Sequence, residues 1–320
     1  MKDDMQNRFM PLRKNARFAG VFLLGLWLFM LVGCASTPRL TESTEQALPQ
    51  QALIEDVPFH AQREYQCGPA SLAMVLNHDG ADVAMERLIP QVFLPGREGS
   101  VQPEMLATVR RHGRIPYVLD NSFDALLTEI AAGHPVVVMQ NLALPAWPMW
   151  HYAVAIGYDL EAEEMTVHSG EEAARIESFR RFDATWARSD RWAFVALAPG
   201  EMPSGIGEQH ALQAIAAFEQ VQGAEAALPA WEALVARFPD SGMGYFALGN
   251  ARHAAGDASG AIAAFRASVA HRDDLGVAWL NLGLLLGAQG ETGEARQALG
   301  RAADLPGQWQ PRAREALQRL

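Results

Sequence analysis

The sequence predicts an α+β domain followed by an all-α domain, and three observations carry that reading. Between residues 54 and 198, helical patterns come first and short β-branched or aromatic runs come after, the order that favours helices packed on an antiparallel sheet. From Gly205 onward the composition turns to Ala, Leu, Glu, Gln and Gly at helical spacing. Within that second part, pairs of small and large residues recur at a fixed interval of 34 positions, as with Leu248-Gly249 and Leu282-Gly283. A chain of 320 residues with 49% hydrophobic content is long enough for two modest domains, each with its own core, plus a leading segment. The expected division is 1–33, 34–53, 54–198 and 206–320.

Residues 1–17 are polar and basic, and Phe18 to Gly33 form a 16-residue uncharged apolar run ending in Leu31-Val32-Gly33-Cys34. This is the layout of a secretory signal, and the run falls short of the roughly 20 residues a straight membrane-crossing helix needs. Its last four residues resemble the bacterial lipoprotein box. That resemblance implies cleavage before Cys34 and acylation of it, with several acyl chains giving stable anchoring where one would be marginal. Ala35 and Ser36 follow, with no Asp, which in such lipoproteins implies an outer-membrane destination at the periplasmic face. Residues 35–52, rich in Ser, Thr, Pro and Gln, read as a flexible tether.

The segment Ile54-Glu-Asp-Val-Pro-Phe-His60 reads as a short strand. Helical patterns follow the Cys67 region at Ala84 to Gln91, Pro103 to His112 and Phe123 to Ala132, the last closed by Gly133 as a cap. Val136 to Gln140, His151 to Tyr158, Met165 to His168 and Trp192 to Ala198 read as strands. Between the first two lies Ala143 to Trp150, holding Pro145, Trp147, Pro148 and Trp150. It fits either a stiff loop over a sheet edge or a substrate wall beside His151.

The chemistry concentrates at Gln62-Arg-Glu-Tyr-Gln-Cys67-Gly-Pro-Ala-Ser-Leu-Ala-Met-Val-Leu76. Gly68 and Pro69 mark a turn entering a helix, because Pro is tolerated in the first turn, and Ala70 to Leu76 supply its apolar face. Cys67 therefore sits at a helix N-terminus, where free N–H groups and the positive end of the macrodipole favour a thiolate and lower the thiol pKa. Gln62 could give a side-chain amide donor to an oxyanion, beside the N–H of Cys67. An isolated Cys before an apolar helix also fits plain core.

Gln62, Tyr65-Gln-Cys-Gly-Pro-Ala70 and His151-Tyr-Ala-Val-Ala-Ile-Gly-Tyr-Asp159 together resemble the papain-like bacteriocin-processing (double-glycine leader) peptidase family and its stand-alone relatives, over roughly residues 54 to 198. The resemblance implies a papain-like fold in which a helix carries the Cys and a sheet carries the His. It implies acyl transfer through a thioester, with Cys67 as nucleophile, His151 as base 84 residues on, and Gln62 at the oxyanion. The family's third member, an Asp or Asn on the next strand, is missing. If the strands at 151–158 and 164–169 form a hairpin turning near Leu160 to Glu163, Ser169 comes opposite His151 and Glu171 is the nearest carboxylate on that face. A Ser hydroxyl can accept the ring N–H and fix the tautomer, without a charge to stabilise imidazolium. A peptidase cleaving peptide or protein substrates is the first expectation. A domain that has lost turnover and binds peptides, and a transferase using the same thioester, stand beside it.

In the second part Gly256 recurs as Gly290, Ala261 as Ala295, Ala264 as Ala298 and Phe265 as Leu299, each 34 residues apart. This is the period and small/large pattern of the tetratricopeptide repeat, which implies stacked helix pairs and, commonly, a groove for a partner protein. Ala227 and Trp231 form a weaker earlier copy, and Gln308 to Leu320 a capping helix.

Charge and cysteine count exclude other classes. Five basic residues against two acidic ones give +3 over residues 1–17, so the formal −11 of the chain leaves −14 for the rest. An acidic body without a basic patch excludes nucleic acid as the expected partner. The two cysteines, Cys34 and Cys67, are assigned to lipidation and catalysis, leaving one free thiol in the mature chain. No His, Cys and carboxylate cluster has metal spacing and no Gly-rich run has a phosphate-loop pattern, so no cofactor is expected.

Overall fold

Thr41 is followed by Glu42 and Glu45 in a first helical turn, and its Oγ1 accepts from Thr44 N, so a helix starts where the sequence had suggested a tether. The computed structural model describes residues 37–320 apart from 62–65, 95, 97 and 98. The signal segment, Cys34 and Gln62 lie outside the described residues. The chain enters α1 (Glu42–Ala47) and β1 (Gln51–Leu53). Thr41 donates from N and Oγ1 to Asp124 Oδ1 at 2.9 and 2.6 Å, and Leu160 N donates to Gln50 O at 2.9 Å. The flexible stretch expected up to residue 52 is thus folded on the domain from Thr41 onward. The expected strand at 54–60 is also displaced. Ile54 N still donates to Ile156 O at 2.8 Å, but the chain then turns away toward Pro58, which has no N–H for a ladder.

The helical half holds α2 (Cys67–His78), α3 (Met85–Val92), the small hairpin β2 (Phe93–Leu94) and β3 (Gly99–Ser100), and α4 (Gln102–Arg111). Then come β4 (Ile115–Val118) and α5 (Phe123–Ala131), which is capped by Ser122. Gly133 at φ +88° reverses the chain after α5, a left-handed conformation that a side chain would strain. The sheet half follows with β5 (Val136–Asn141), β6 (Trp150–Asp159), β7 (Glu164–Ser169), β8 (Glu172–Ser178), α6 (Phe179–Trp186) and β9 (Ala193–Leu197). One antiparallel sheet runs β4-β9-β5-β6-β7-β8, with β1 also paired to β6. α2 lies at its centre, buried from Gly68 to Leu76, as an apolar helix must be.

Among the elements that the sequence expectation lacked are β4, β8 and α6. β4 contains Pro116 and occupies one sheet edge, where a missing N–H is tolerated. β8 forms the other edge and is mostly exposed, so it lacks the apolar alternation that marks a half-buried strand. α6 starts at the Ser178 cap and buries Phe179, Phe182 and Trp186, clustered against Phe123 with ring centroids 4.9 Å apart for Phe179.

Seven helices follow: α7 (Glu208–Gln222), α8 (Ala224–Arg237), α9 (Gly242–Ala254), α10 (Ala258–His271), α11 (Gly276–Ala288), α12 (Thr292–Asp304) and α13 (Gln310–Arg319). The starts of α7, α9 and α11, and of α8, α10 and α12, are each 34 residues apart, so the weaker first copy is a full helix pair. Gly249 and Gly283 sit at helix crossings, where an added Cβ would come within 2.7 Å of the Phe265 ring and 2.6 Å of Leu299 Cγ. The first pair fills the equivalent crossing with Ile215 and Trp231, which hides the repeat from a residue-by-residue match.

The separate cores expected for the two parts merge instead. One buried cluster runs from Ile54 through the sheet into Phe218, Trp231, Leu234 and Leu248, because α7 packs on β4 and α4. Later repeats form smaller clusters around Phe265 and Leu299. Among the described residues no helix is long and apolar enough to cross a membrane.

Candidate active site

The N-terminus of α2 has no side-chain cap, since Gln66 bonds none of its N–H groups. The Cys67 sulfur takes backbone hydrogen bonds from Gly68 and Cys67 there, and a further one from Tyr152 of β6. Glycine at 68 is a matter of space. A Cβ at that position would lie 2.2 Å from Ser100 Oγ and 2.5 Å from Ser100 Cβ, so the β3 hairpin rests directly on the turn that carries the thiol.

The electrostatics correct the sequence expectation. Cys67 is free and half-buried, and burial pushes its thiol above its ordinary value, with the three backbone hydrogen bonds pulling down but not prevailing. The helix terminus acts as expected in sign and loses in magnitude, because desolvation of a sulfur anion against an apolar helix is the larger effect.

His151 is one residue before Tyr152 on β6, so β6 brings its imidazole and the Cys67 sulfur to one stretch of strand. Its Nε2 lies 2.9 Å from Ser169 Oγ, and Ser169 is buried at 2% exposure at the end of β7. The hairpin turns at 160–163 as expected, with Asp159 opposite Glu164. A bulge between Ala155 and Gly157 shifts the register, and the ladder ends at Val154 opposite His168. Ser169 is therefore a diagonal neighbour of His151 and not its direct partner, still within reach across the sheet. Glu171 is exposed in the β7–β8 turn and makes no hydrogen bond or ion pair with the ring among the described residues. The charged side chain that acts on His151 is Arg175, a cation. Burial first, and Arg175 second, lower its pKa from 6.5 to about 4. No hydrogen bond joins Cys67 to His151 among the described residues, and both groups rest uncharged at neutral pH.

Three supporting groups carry no signal that sequence reading could use, because they depend on register. They are the Tyr152 amide, Arg175 and Asn141. Asn141 Oδ1 accepts from Ala143 N at 3.1 Å and Met149 N at 3.0 Å, and Arg188 Nη1 donates to Asn141 O and Ala143 O. These bonds stiffen the loop before His151 while leaving Trp147 78% and Trp150 51% exposed, so it projects from the sheet edge more than it covers it. His168, beside Ser169, has a structural role: Nε2 donates to Val57 O at 3.2 Å and Nδ1 accepts from Ala174 N at 3.0 Å. Among the described residues no His, Cys and carboxylate group could hold a metal ion.

The chain matches the Peptidase_C39 like family over residues 54–193. Comparison with curated proteins found no match. Among solved structures it is similar to a C39-like peptidase from Bacillus anthracis, at 17% identity over 47% of this chain and 98% of that one, with a TM-score of 0.40. It is also similar to MamA, at 20% identity over 35% of this chain, with a TM-score of 0.32, and spans 64% of that protein's length. The Yersinia enterocolitica type III secretion chaperone SycD, in complex with a peptide of the translocator YopD, gives 19% identity over 35% of this chain and 89% of that one, with a TM-score of 0.33. The fold is α+β, a sheet domain that matches the C39 like family followed by a helical region of helix pairs repeating at 34 residues.

Proposed function

We propose that this protein is a cysteine peptidase in which Cys67 is the nucleophile and His151 the base. The observation that supports it most is the junction at β6, where the Cys67 sulfur accepts from the amide following His151 and the His151 ring is steadied by Ser169. Because thiol and imidazole both rest neutral, proton transfer accompanies attack. The S–H proton passes to His151 as sulfur bonds the peptide carbonyl carbon. The resulting oxyanion is held by the Cys67 N–H and Gln62. The imidazolium then protonates the departing amine as the C–N bond breaks, and water releases the thioester by the same route in reverse. Ser169 Oγ orients the ring, while Arg175 opposes the transient imidazolium, which predicts a slow enzyme. Trp147, Met149 and Trp150 form a substrate wall beside His151. The test is turnover of a denatured protein substrate: Cys67→Ala should abolish it and His151→Ala should reduce it by about 10² or more.

The uncharged resting pair also favours a second reading, a peptide-binding domain with little turnover. In that case substrate peptides bind wild type and Cys67→Ala equally and are recovered intact. In either reading the repeat region takes a partner protein or peptide, supported by a groove of about 500 Å³ lined by Trp231, Met243, Phe246 and Asn250. We further propose that Cys34 is acylated and anchors the protein at the periplasmic face of the outer membrane, on the strength of the uncharged run 18–33 and Leu-Val-Gly-Cys at 31–34. Cys34→Ser should block acylation and leave an unprocessed or mislocalised precursor. Normal processing and unchanged fractionation would remove the lipoprotein assignment.

A further inference from the structure

Residues 141–150, Asn-Leu-Ala-Leu-Pro-Ala-Trp-Pro-Met-Trp, hold no charged side chain although the chain as a whole is acidic. In this loop between β5 and β6, Leu144 is 64% exposed, Met149 60% and Leu142 41%, beside the exposed Trp147 and Trp150. A contiguous apolar surface of this kind marks an interaction site.

Two features decide what the loop meets. The first is a backbone largely satisfied within the loop itself. Leu142 N donates to Met149 O at 2.9 Å and Trp147 N to Leu144 O at 3.0 Å, Ala143 N and Met149 N both donate to Asn141 Oδ1, and Pro145 and Pro148 have no N–H. Chain that enters a bilayer needs its polar groups paired internally, because lipid offers them no partner. Asn141 is buried with its Oδ1 committed, leaving the indole N–H groups of Trp147 and Trp150 as the exposed side-chain donors. Protein interfaces ring their apolar centre with polar residues, and this loop supplies no charged one. Trp, Leu and Met without charge suit the bilayer interface, where an indole N–H meets headgroups while its ring meets acyl chains.

The second feature is where the described chain begins. Thr41 is held to Asp124, and Cys34 lies seven residues before it, a span of at most about 25 Å. This step rests on the proposed acylation of Cys34, which leashes the domain close to a bilayer.

We propose that the β5–β6 loop seats in the interface of a lipid bilayer, with Leu144 and Trp147, paired across its tip, among the acyl chains and Leu142, Met149 and Trp150 beside them. Apolar burial drives the insertion and headgroup charge does not, since an anionic surface repels the acidic body. The wall beside His151 then borders the membrane surface, because Trp150 and His151 are adjacent on β6.

The test uses the chain from Ala35, which holds every described residue. An N-terminal histidine tag on a nickel-chelating lipid brings it to neutral phosphatidylcholine vesicles, so the result is independent of whether Cys34 is acylated. Bromine on the acyl chains quenches indole fluorescence on contact. Bromine near the headgroup end should quench roughly a quarter of the emission, the share of Trp147 and Trp150 among the seven tryptophans after Trp27, and should quench more than bromine near the chain ends. Leu144→Asp keeps both indoles and should cut the quenching at least about threefold, with an unchanged thermal midpoint because Leu144 is exposed. Trp147→Ser with Trp150→Ser should remove it. Quenching should survive about 0.5 M salt, which screens headgroup attraction. Unquenched wild type, quenching that Leu144→Asp leaves intact, or quenching lost in salt would each overturn the proposal. So would a lipid-free dimer that Leu144→Asp dissolves, which would give the loop to a second copy of the chain.

Discussion

Replacing Gly68 by Ala is the smallest change that should disturb the thiol-bearing turn. The added Cβ would lie 2.2 Å from Ser100 Oγ, 2.5 Å from Ser100 Cβ and 3.2 Å from Met105 Sδ. Rotation of the Ser100 hydroxyl relieves only the first contact. Its Cβ is fixed by the pairing of β3 with β2, so α2 and the hairpin must separate by about 1 Å to restore ordinary carbon contacts. Overpacking of this kind costs about 1–3 kcal/mol, and the better helix propensity of Ala returns up to about 1 kcal/mol. The expected net loss is about 1–2 kcal/mol, read from urea denaturation as a lower midpoint at unchanged slope. Cys67 should also react more slowly with a peptide electrophile, because the displaced turn no longer holds the sulfur against the Tyr152 amide. Ser100→Gly in the same chain removes the obstructing Cβ and should recover both properties. A Gly68→Ala protein as stable as wild type, with Cys67 reactivity unchanged, would refute the reasoning.

Gly283→Trp should overpack the crossing against Leu299 and cost about 1–3 kcal/mol or more, loosening α11 to α13 in hydrogen exchange while the sheet domain keeps its protection; uniform retention of protection would mean the crossing has spare room. Asp124→Ala removes the two Thr41 bonds and should speed proteolysis within residues 38–50 at unchanged helical content; an unchanged cleavage rate would show that other contacts hold α1. His151, with its pKa lowered to about 4, and His168, lowered by burial, both bind protons more weakly folded than unfolded. Their contribution is therefore fully present above pH 6.5 and is lost as pH falls, through about 4 for His151. For His151 that span amounts to roughly 3 kcal/mol, so His151→Gln should flatten the decline in stability between pH 7 and 4 relative to wild type; parallel curves would contradict the buried neutral imidazole.

What the sequence made legible follows from where the signals are local. The Gly-Pro turn before the largely apolar run 70–76 announces α2 and puts Cys67 at its start, and the run of aromatic and β-branched residues after His151 announces β6. The 34-residue spacing announces the repeats because Gly249 against Phe265 and Gly283 against Leu299 are the same small/large crossing one period apart. The missing elements are those whose residues look wrong out of context. Pro116 obscures β4 and the charges of β8 obscure an edge strand, since edges relax the rules that hold in a sheet interior. Ser169 was reachable from the hairpin turn only as a neighbour, because the pairing of Asp159 with Glu164, shifted by one at the bulge between Ala155 and Gly157, carries the register past Ser169 before it reaches His151. The state of the thiol was the deepest miss. A helix N-terminus is visible in the sequence, whereas the desolvation that outweighs it depends on what packs around Cys67.

The most direct test of the central claim is the pH dependence of two labelling rates at Cys67, followed by intact mass in wild type and His151→Ala. Iodoacetamide, which needs a preformed thiolate, should react slowly at neutral pH and accelerate only above the range of an ordinary cysteine. A peptide electrophile that seats beside His151 should label Cys67 alone at pH 7, and His151→Ala should slow that reaction by about 10² while leaving the iodoacetamide rate nearly unchanged. Equal slowing of both reagents would contradict a neutral pair, and no slowing of the peptide electrophile would contradict His151 as the base.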